Sequence, residues 1–383
     1  MEYSAKRRSS QKCRSGAGGH RRSVLMAVVL LLNGCLVHPD HGPVHDAASD
    51  GAVVDSGLDA LVCPEYPEDA SCTPATPLPS DASVDPGDAT CVHPPVVEDC
   101  VDGWCRIPAG CFVAGSPPDE VCRGPYSENQ VQVFLTHPIL ITQTEVTQAE
   151  WEAVGFPNPG RPEGCADCPI NLVGIFEAFA YSNALSEIEG LELCYNLSCC
   201  HGTVGAGCLD DDCRCVIDKY SCEGDVRKYA SPYECRGYRL PTSPEWEYAA
   251  RAGTSEATYN GEPTNIRQCV SDPVMDPIAW HCGSTDHVMP VGLLQPNDWG
   301  LHDMLGNLFE WVDYHTIGYS LDVEEGREGP LVNPIGPGPE DSGVEWRGGN
   351  FWMDPCRCKS AVRLNVANVR AMAGFRLVRT LFE

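Results

Sequence analysis

Arg347–Arg363 reads R-G-G-N-F-W-M-D-P-C-R-C-K-S-A-V-R, and Gly374–Arg379 follows with G-F-R-L-V-R. The first stretch joins a Gly-Gly turn, aromatic residues and two cysteines, Cys356 and Cys358, in one short segment near the C-terminus. What the chain does turns on what those two cysteines do.

Working upstream, Pro296–Trp311 (P-N-D-W-G-L-H-D-M-L-G-N-L-F-E-W) combines turn residues with closely spaced oxygen ligands. Tyr238–Gly253 (Y-R-L-P-T-S-P-E-W-E-Y-A-A-R-A-G) is a well-specified short helix. Thr242 and Glu245 make a capping box, Pro244 sits in the first turn where a missing N–H is harmless, and Gly253 provides the stop. Thr147 and Glu150 make a second capping box, ahead of a helix carrying Trp151 and Val154. Ile175–Ile188 has helical spacing and stops at Gly190. Cys105–Ser116 reads as strand, turn, strand; Val131–Ile141 reads as strand, and Trp280–Val291 as loop ending in a strand.

Five blocks in order, T-E-V-T-Q-A-E-W, Y-R-L-P-T-S-P-E-W-E-Y-A-A-R-A-G, P-N-D-W-G-L-H-D-M-L-G-N-L-F-E-W, R-G-G-N-F and G-F-R-L-V-R, resemble the formylglycine-generating enzyme, or sulfatase-modifying factor, family. The resemblance covers Trp104–Glu383 apart from an insertion. It implies an α+β domain with a C-type-lectin-like fold, rich in loops and poor in regular secondary structure. It also implies copper- and oxygen-dependent oxidation of a cysteine in a Cys-x-Pro-x-Arg peptide to formylglycine.

In such enzymes the copper-binding pair follows R-G-G-S as Cys-x-x-x-x-Cys. Here Asn350 takes the Ser position, Met353 takes that of the first cysteine, and the remaining pair is Cys356-x-Cys358. Cu(I) is soft and favours thiolates, and a thioether brings no charge, so the departure weakens the site. Cysteines one residue apart seldom bond to each other without strain, which leaves both open to pairing elsewhere. Cys356 and Cys358 are therefore candidate catalytic, copper-binding residues on one reading and structural residues on the other. The second reading makes the domain a non-catalytic, calcium-stabilised binding or scaffold module for a protein or glycan partner. Asp303, Gly306, Leu308 and Glu310 match the family positions that bind a structural calcium through two side chains and backbone carbonyls, the hard oxygen ligands Ca²⁺ requires. The scattered His281, His287, His302 and His315 lack ligand spacing for iron, and no Gly-x-Ser-x-Gly nucleophile setting is present.

The N-terminus is basic and runs through apolar Val24–Leu32 into L-N-G-C, which resembles a bacterial lipoprotein signal (residues 1–34) with Cys35 as the lipidated mature terminus. The apolar run is short for a membrane span. Leu36 after the cysteine favours an outer-membrane anchor, facing the periplasm or the exterior. Residues 35–103 are rich in Asp, Pro and Ala without periodicity and read as a tether, leaving residues 104–383 as the domain. The chain holds 23 cysteines, far too many for a reducing compartment, so it is exported and disulfide-bonded. Eight of them crowd Cys194–Cys235, read as a stapled insertion rather than a zinc site, because within that segment Cys213-x-Cys215 has no Cys-x-x-Cys or histidine partner set. A formal net charge of −28 excludes nucleic acid as a partner.

Overall fold

The computed structural model describes residues 91–124, 128–206, 220–313, 330–335, 344–366 and 373–382. Cys35, the signal, most of the tether and Cys213-x-Cys215 lie outside the described residues. Within them no helix is long and apolar enough to cross a membrane.

Short-range signals become helices as written. Helix α1, Gln148–Ala153, starts at Thr147, whose hydroxyl accepts from the Glu150 amide while Glu150 answers to the Thr147 amide at 2.7 Å. Helix α2, Ile175–Ile188, is followed by Gly190 at φ +69°. Helix α3, Ser243–Arg251, carries the Thr242/Glu245 box and Pro244. It ends one residue before the glycine expected to stop it: Ala252 takes the left-handed cap at φ 43°, and Gly253 continues the turn at φ 85°.

The sheets are small and long-range. Cys100–Val101, Trp104–Ile107, Ile139–Thr142, Val378–Thr380 and Tyr238–Arg239 form a five-stranded antiparallel sheet in that order. The closing G-F-R-L-V-R thus supplies a strand between the early strand Ile139–Thr142 and the one that leads into α3. A second sheet orders Leu364–Val366, Val344–Arg347, Phe309–Trp311 and Ala373–Gly374. The Val131–Ile141 stretch is two strands, Val131–Leu135 and Ile139–Thr142, separated at Pro138. Trp280–Val291 has its strand at the start, Ala279–Trp280, rather than at its end. Four tryptophans are wholly buried, Trp246 and Trp299 in one hydrophobic cluster and Trp151 and Trp311 in a second.

The folded body begins before Trp104. Disulfides Cys91–Cys111 and Cys100–Cys105 pin residues 91–103 to it, and His93 stacks on Trp299 at 5.6 Å between ring centres. Residues 91–103, assigned to the tether by composition, therefore belong to the domain. A Pro- and Val-rich segment with no period shows nothing of this in sequence; its cysteines fix it. Cys194–Cys235 and Cys200–Cys222 staple the insertion at its root and higher up.

Candidate functional site

The R-G-G-N-F loop leaves the strand Val344–Arg347 at a buried charge cluster. Arg347 is wholly buried. It donates to Glu247 at 2.7 Å and to the Ser360, Ala361 and Val362 carbonyls, and its guanidinium lies 5.0 Å from the Trp246 ring centre. Arg363 reaches the same Glu247 oxygen at 2.9 Å, and Arg251 and the Gly115 amide take the other. Burial alone would push the Glu247 carboxyl up, but Arg251, Arg363 and Arg347 overcome it and hold the group well below the usual carboxylate range. The two arginines that frame the stretch are thus the ends of one clamp.

Inside that frame the loop is tight. Gly349 has φ +79°, and a Cβ there would lie 2.6 Å from the Cys358 sulfur, so only glycine fits. Asn350, in the family's Ser position, is buried and accepts from the Trp352 amide at 3.0 Å. Asp354 caps a single 3₁₀ turn over Pro355–Arg357 through the Cys356 amide.

The two candidate cysteines have different fates. Cys356 is disulfide-bonded to Cys122, 234 residues away in sequence. Cys358 is a free thiol with no solvent exposure, directed at the Asn350 carbonyl at 3.7 Å. Burial, with the nearby Asp354 charge adding to it, pushes its pKa up to about 12. Such a thiol is not a nucleophile at neutral pH. A copper site needing two thiolates does not fit this arrangement, since one of the pair is consumed by a disulfide. The neighbouring Lys359 is buried as well, 2.6 Å from Glu120 and 3.2 Å from Glu128, so Glu120, Cys122 and Glu128 are fastened to this loop by a disulfide and a charge triad.

The expected calcium turn is equally buried. Asp303 at φ 54°, and after two residues Gly306 at φ 79° and Asn307 at φ 52°, take positive φ. A Cβ on Gly306 would meet the Trp280 carbonyl oxygen at 2.2 Å. Asp303 Oδ2 accepts from the Gly292 amide at 2.7 Å, while its buried Oδ1 has no partner. Glu310, by contrast, spends both oxygens on Arg376, at 2.7 Å each, and one also accepts from Trp246 at 2.8 Å. The Leu308 amide donates to Glu145, which also accepts from Asn307. Burial first, then Asp303 and Glu310, push the Glu145 carboxyl well up. Glu145 is the residue that motif reading passed over, although it stands in the T-E-V-T-Q-A-E-W block. Of the four proposed calcium ligands, Asp303 therefore offers a free oxygen, Gly306 and Leu308 offer backbone carbonyls, and Glu310 is engaged elsewhere. Among the described residues no group of three or more His, Cys, Asp or Glu side chains is arranged to hold a metal. His281 is tied to Asp276 at 2.8 Å, His302 to the Leu294 carbonyl, and His287 is exposed beside Asp286; His315 lies outside the described residues.

Comparison with known proteins follows the same lines. The model of the sulfatase-modifying factor enzyme 1-like domain matches residues 93–381, which agrees with a domain that begins ahead of Trp104. The chaperone protein LppX of Paenibacillus barcinonensis is 29% identical over 205 residues, 51% of this chain and 68% of that protein. The formylglycine-generating enzyme of Streptomyces coelicolor is 32% identical over 137 residues, which span 32% of this chain and only 38% of the enzyme. Among solved structures, Treponema denticola variable protein 1 superposes with a TM-score of 0.53 at 27% identity, covering 72% of this chain and 94% of that one.

Proposed function

The chain belongs to the sulfatase-modifying factor enzyme 1-like domain family, and on that premise we propose that it is an exported, non-catalytic member of the family, a surface module that binds a protein or glycan partner. One observation carries this reading: the disulfide of Cys356 with Cys122 together with the burial of Cys358. The family's copper chemistry activates oxygen at a pair of thiolates, and this chain has neither thiolate on offer. Seven disulfides among the described residues support export, because such a number persists only in an oxidising compartment. The similarity to a protein named as a chaperone supports a protein partner over a small substrate. The L-N-G-C box supports a lipid anchor on Cys35, in the outer membrane, with the tether holding the domain away from it.

Calcium would strengthen the same module. Asp303 Oδ1 and the carbonyls of Gly306 and Leu308 would hold it, and the ion would offset the excess of three buried carboxylates, Glu145, Asp303 and Glu310, over the one guanidinium of Arg376.

The oxidase reading has family membership in its favour and is tested directly. Purified domain, loaded with Cu(I) under oxygen, is offered a Cys-x-Pro-x-Arg peptide and the product is weighed. The peptide is expected to return unchanged. Conversion of its cysteine to formylglycine would overturn the proposal. The anchor is tested by mass spectrometry of the mature N-terminus, expected to be a diacylglyceryl-modified Cys35; an unmodified terminus sinks that part alone.

A further inference from the structure

The cysteine-rich insertion meets the core at a small cavity of about 10 Å³, lined by Tyr195, Arg227 and Tyr229 of the insertion and by Arg239 and Asp313 of the core. The hydrogen bonds of the two core residues can be counted. Arg239 has five N–H groups. Its Nη1 donates to the Leu240 carbonyl and Glu245, and its Nη2 donates to Glu245 and Thr380. The Nε–H is left over, buried and without a partner. Asp313 Oδ2 accepts from the Tyr195 hydroxyl at 3.0 Å, and Oδ1 is left over, also buried and without a partner. Arg239 has no solvent exposure, and Asp313 has 3%.

Two residues that line the same cavity thus each carry one unsatisfied polar atom, a donor on Arg239 and an acceptor on Asp313, and no direct hydrogen bond joins the two. Leaving such groups bare costs about 1–3 kcal/mol apiece. A buried water needs roughly 10–15 Å³ and two to four polar partners; the cavity holds about 10 Å³, and Arg239 Nε and Asp313 Oδ1 are two such partners. We propose that this cavity is a binding site for one internal water, which donates to Asp313 Oδ1 and accepts from Arg239 Nε–H. The insertion then sits on the core through a hydrated joint. The Tyr195 hydroxyl, which accepts from the Leu240 amide at 3.1 Å and donates to Asp313, and the bridging water hold its two sides. Neither the family match nor the oxidase question bears on this site.

A crystal structure that resolves ordered solvent is expected to show one water within hydrogen-bond distance of both Asp313 Oδ1 and Arg239 Nε. A dry cavity, or a direct contact between those two atoms, overturns the inference. In solution, oxygen-17 relaxation dispersion counts slowly exchanging waters, and Asp313→Leu is expected to lose one relative to the unaltered protein. An unchanged count in a folded Asp313→Leu protein overturns it too. Should that variant not fold, the solvent density of the unaltered protein still decides.

Discussion

Replacing Glu247 by glutamine should be among the most damaging single changes available, although it removes only a charge. The carboxylate accepts from Arg347 at 2.7 Å, Arg363 at 2.9 Å, Arg251 at 3.1 Å and the Gly115 amide at 2.7 Å, with no solvent exposure. In Glu247→Gln the amide oxygen can replace one acceptor, but the amide nitrogen turns two donors toward the guanidinium groups that the carboxylate holds. Removing one partner of a buried ion pair costs about 3–5 kcal/mol. For a domain of this size about 2–4 °C accompanies each kcal/mol, so the melting temperature should fall by roughly 6–20 °C. The sign of the pH dependence is fixed by the depressed carboxyl. Its stabilisation is fully present above the ordinary glutamate pKa, and it is lost as pH falls toward the depressed value in the folded state. The gap between the unaltered protein and Glu247→Gln should thus be full at pH 7 and should narrow below about pH 4. Urea unfolding under non-reducing conditions at both pH values measures it. A neutral-pH gap under about 1 kcal/mol would refute the argument that the motif arginines are held together by this carboxylate.

Three further outcomes are expected. Cys358 should resist maleimide in the native protein and label only after denaturation, while peptide mapping without reduction should recover a Cys122–Cys356 link; rapid native labelling would contradict the burial. Calcium should raise the melting temperature and a chelator should lower it, and Asp303→Ala should abolish both responses; a chelator effect that survives the substitution would dismiss Asp303 as the ligand. Asp313 is raised from 3.8 to about 6, by burial above all, against the opposing pull of Arg227, Arg239 and the Tyr195 hydroxyl and with Asp225 adding to the rise. The folded state thus holds this proton more tightly than the unfolded chain. The cost of the charge, on the order of 2–3 kcal/mol, is present above pH 6 and relieved as pH falls toward 4. Asp313→Asn should therefore gain on the unaltered protein at pH 7.5 relative to pH 4.5 in denaturant titrations, and a pH-independent difference would refute it.

What could be read in the sequence was local. The Thr147/Glu150 and Thr242/Glu245 boxes and the Gly190 stop are decided within a few residues, and the helices follow them. The sheets could not be read, because strands of two to five residues carry too few positions to show alternation, and their partners lie far off in sequence; Thr380 pairs with Ile139. The cysteines behaved likewise. Cys356 was visible as unsuited to Cys358, but its partner Cys122 has no local signature. The candidate calcium turn divided along the same line. Its left-handed backbone at Asp303 and Gly306 follows from adjacent residues, whereas the diversion of Glu310 to Arg376 is a contact across 66 positions.

The same division explains why this family is easier to recognise than its activity is to infer. Arg347, Glu247 and Arg363 form one buried cluster, and Glu310 and Arg376 form another. Each is a set of charges that cannot be changed singly without stranding a partner. They are the residues that make R-G-G, E-W and G-F-R recognisable, and none of them contacts the Cys358 thiol in a way that would activate it. Oxidation depends instead on two sulfur atoms in a loop whose backbone is fixed by Gly349, Asn350 and the Asp354 cap, which are indifferent to what the sulfurs do. Joining Cys356 to Cys122 therefore removes the thiolate pair while leaving the charge clusters, and with them the fold, intact.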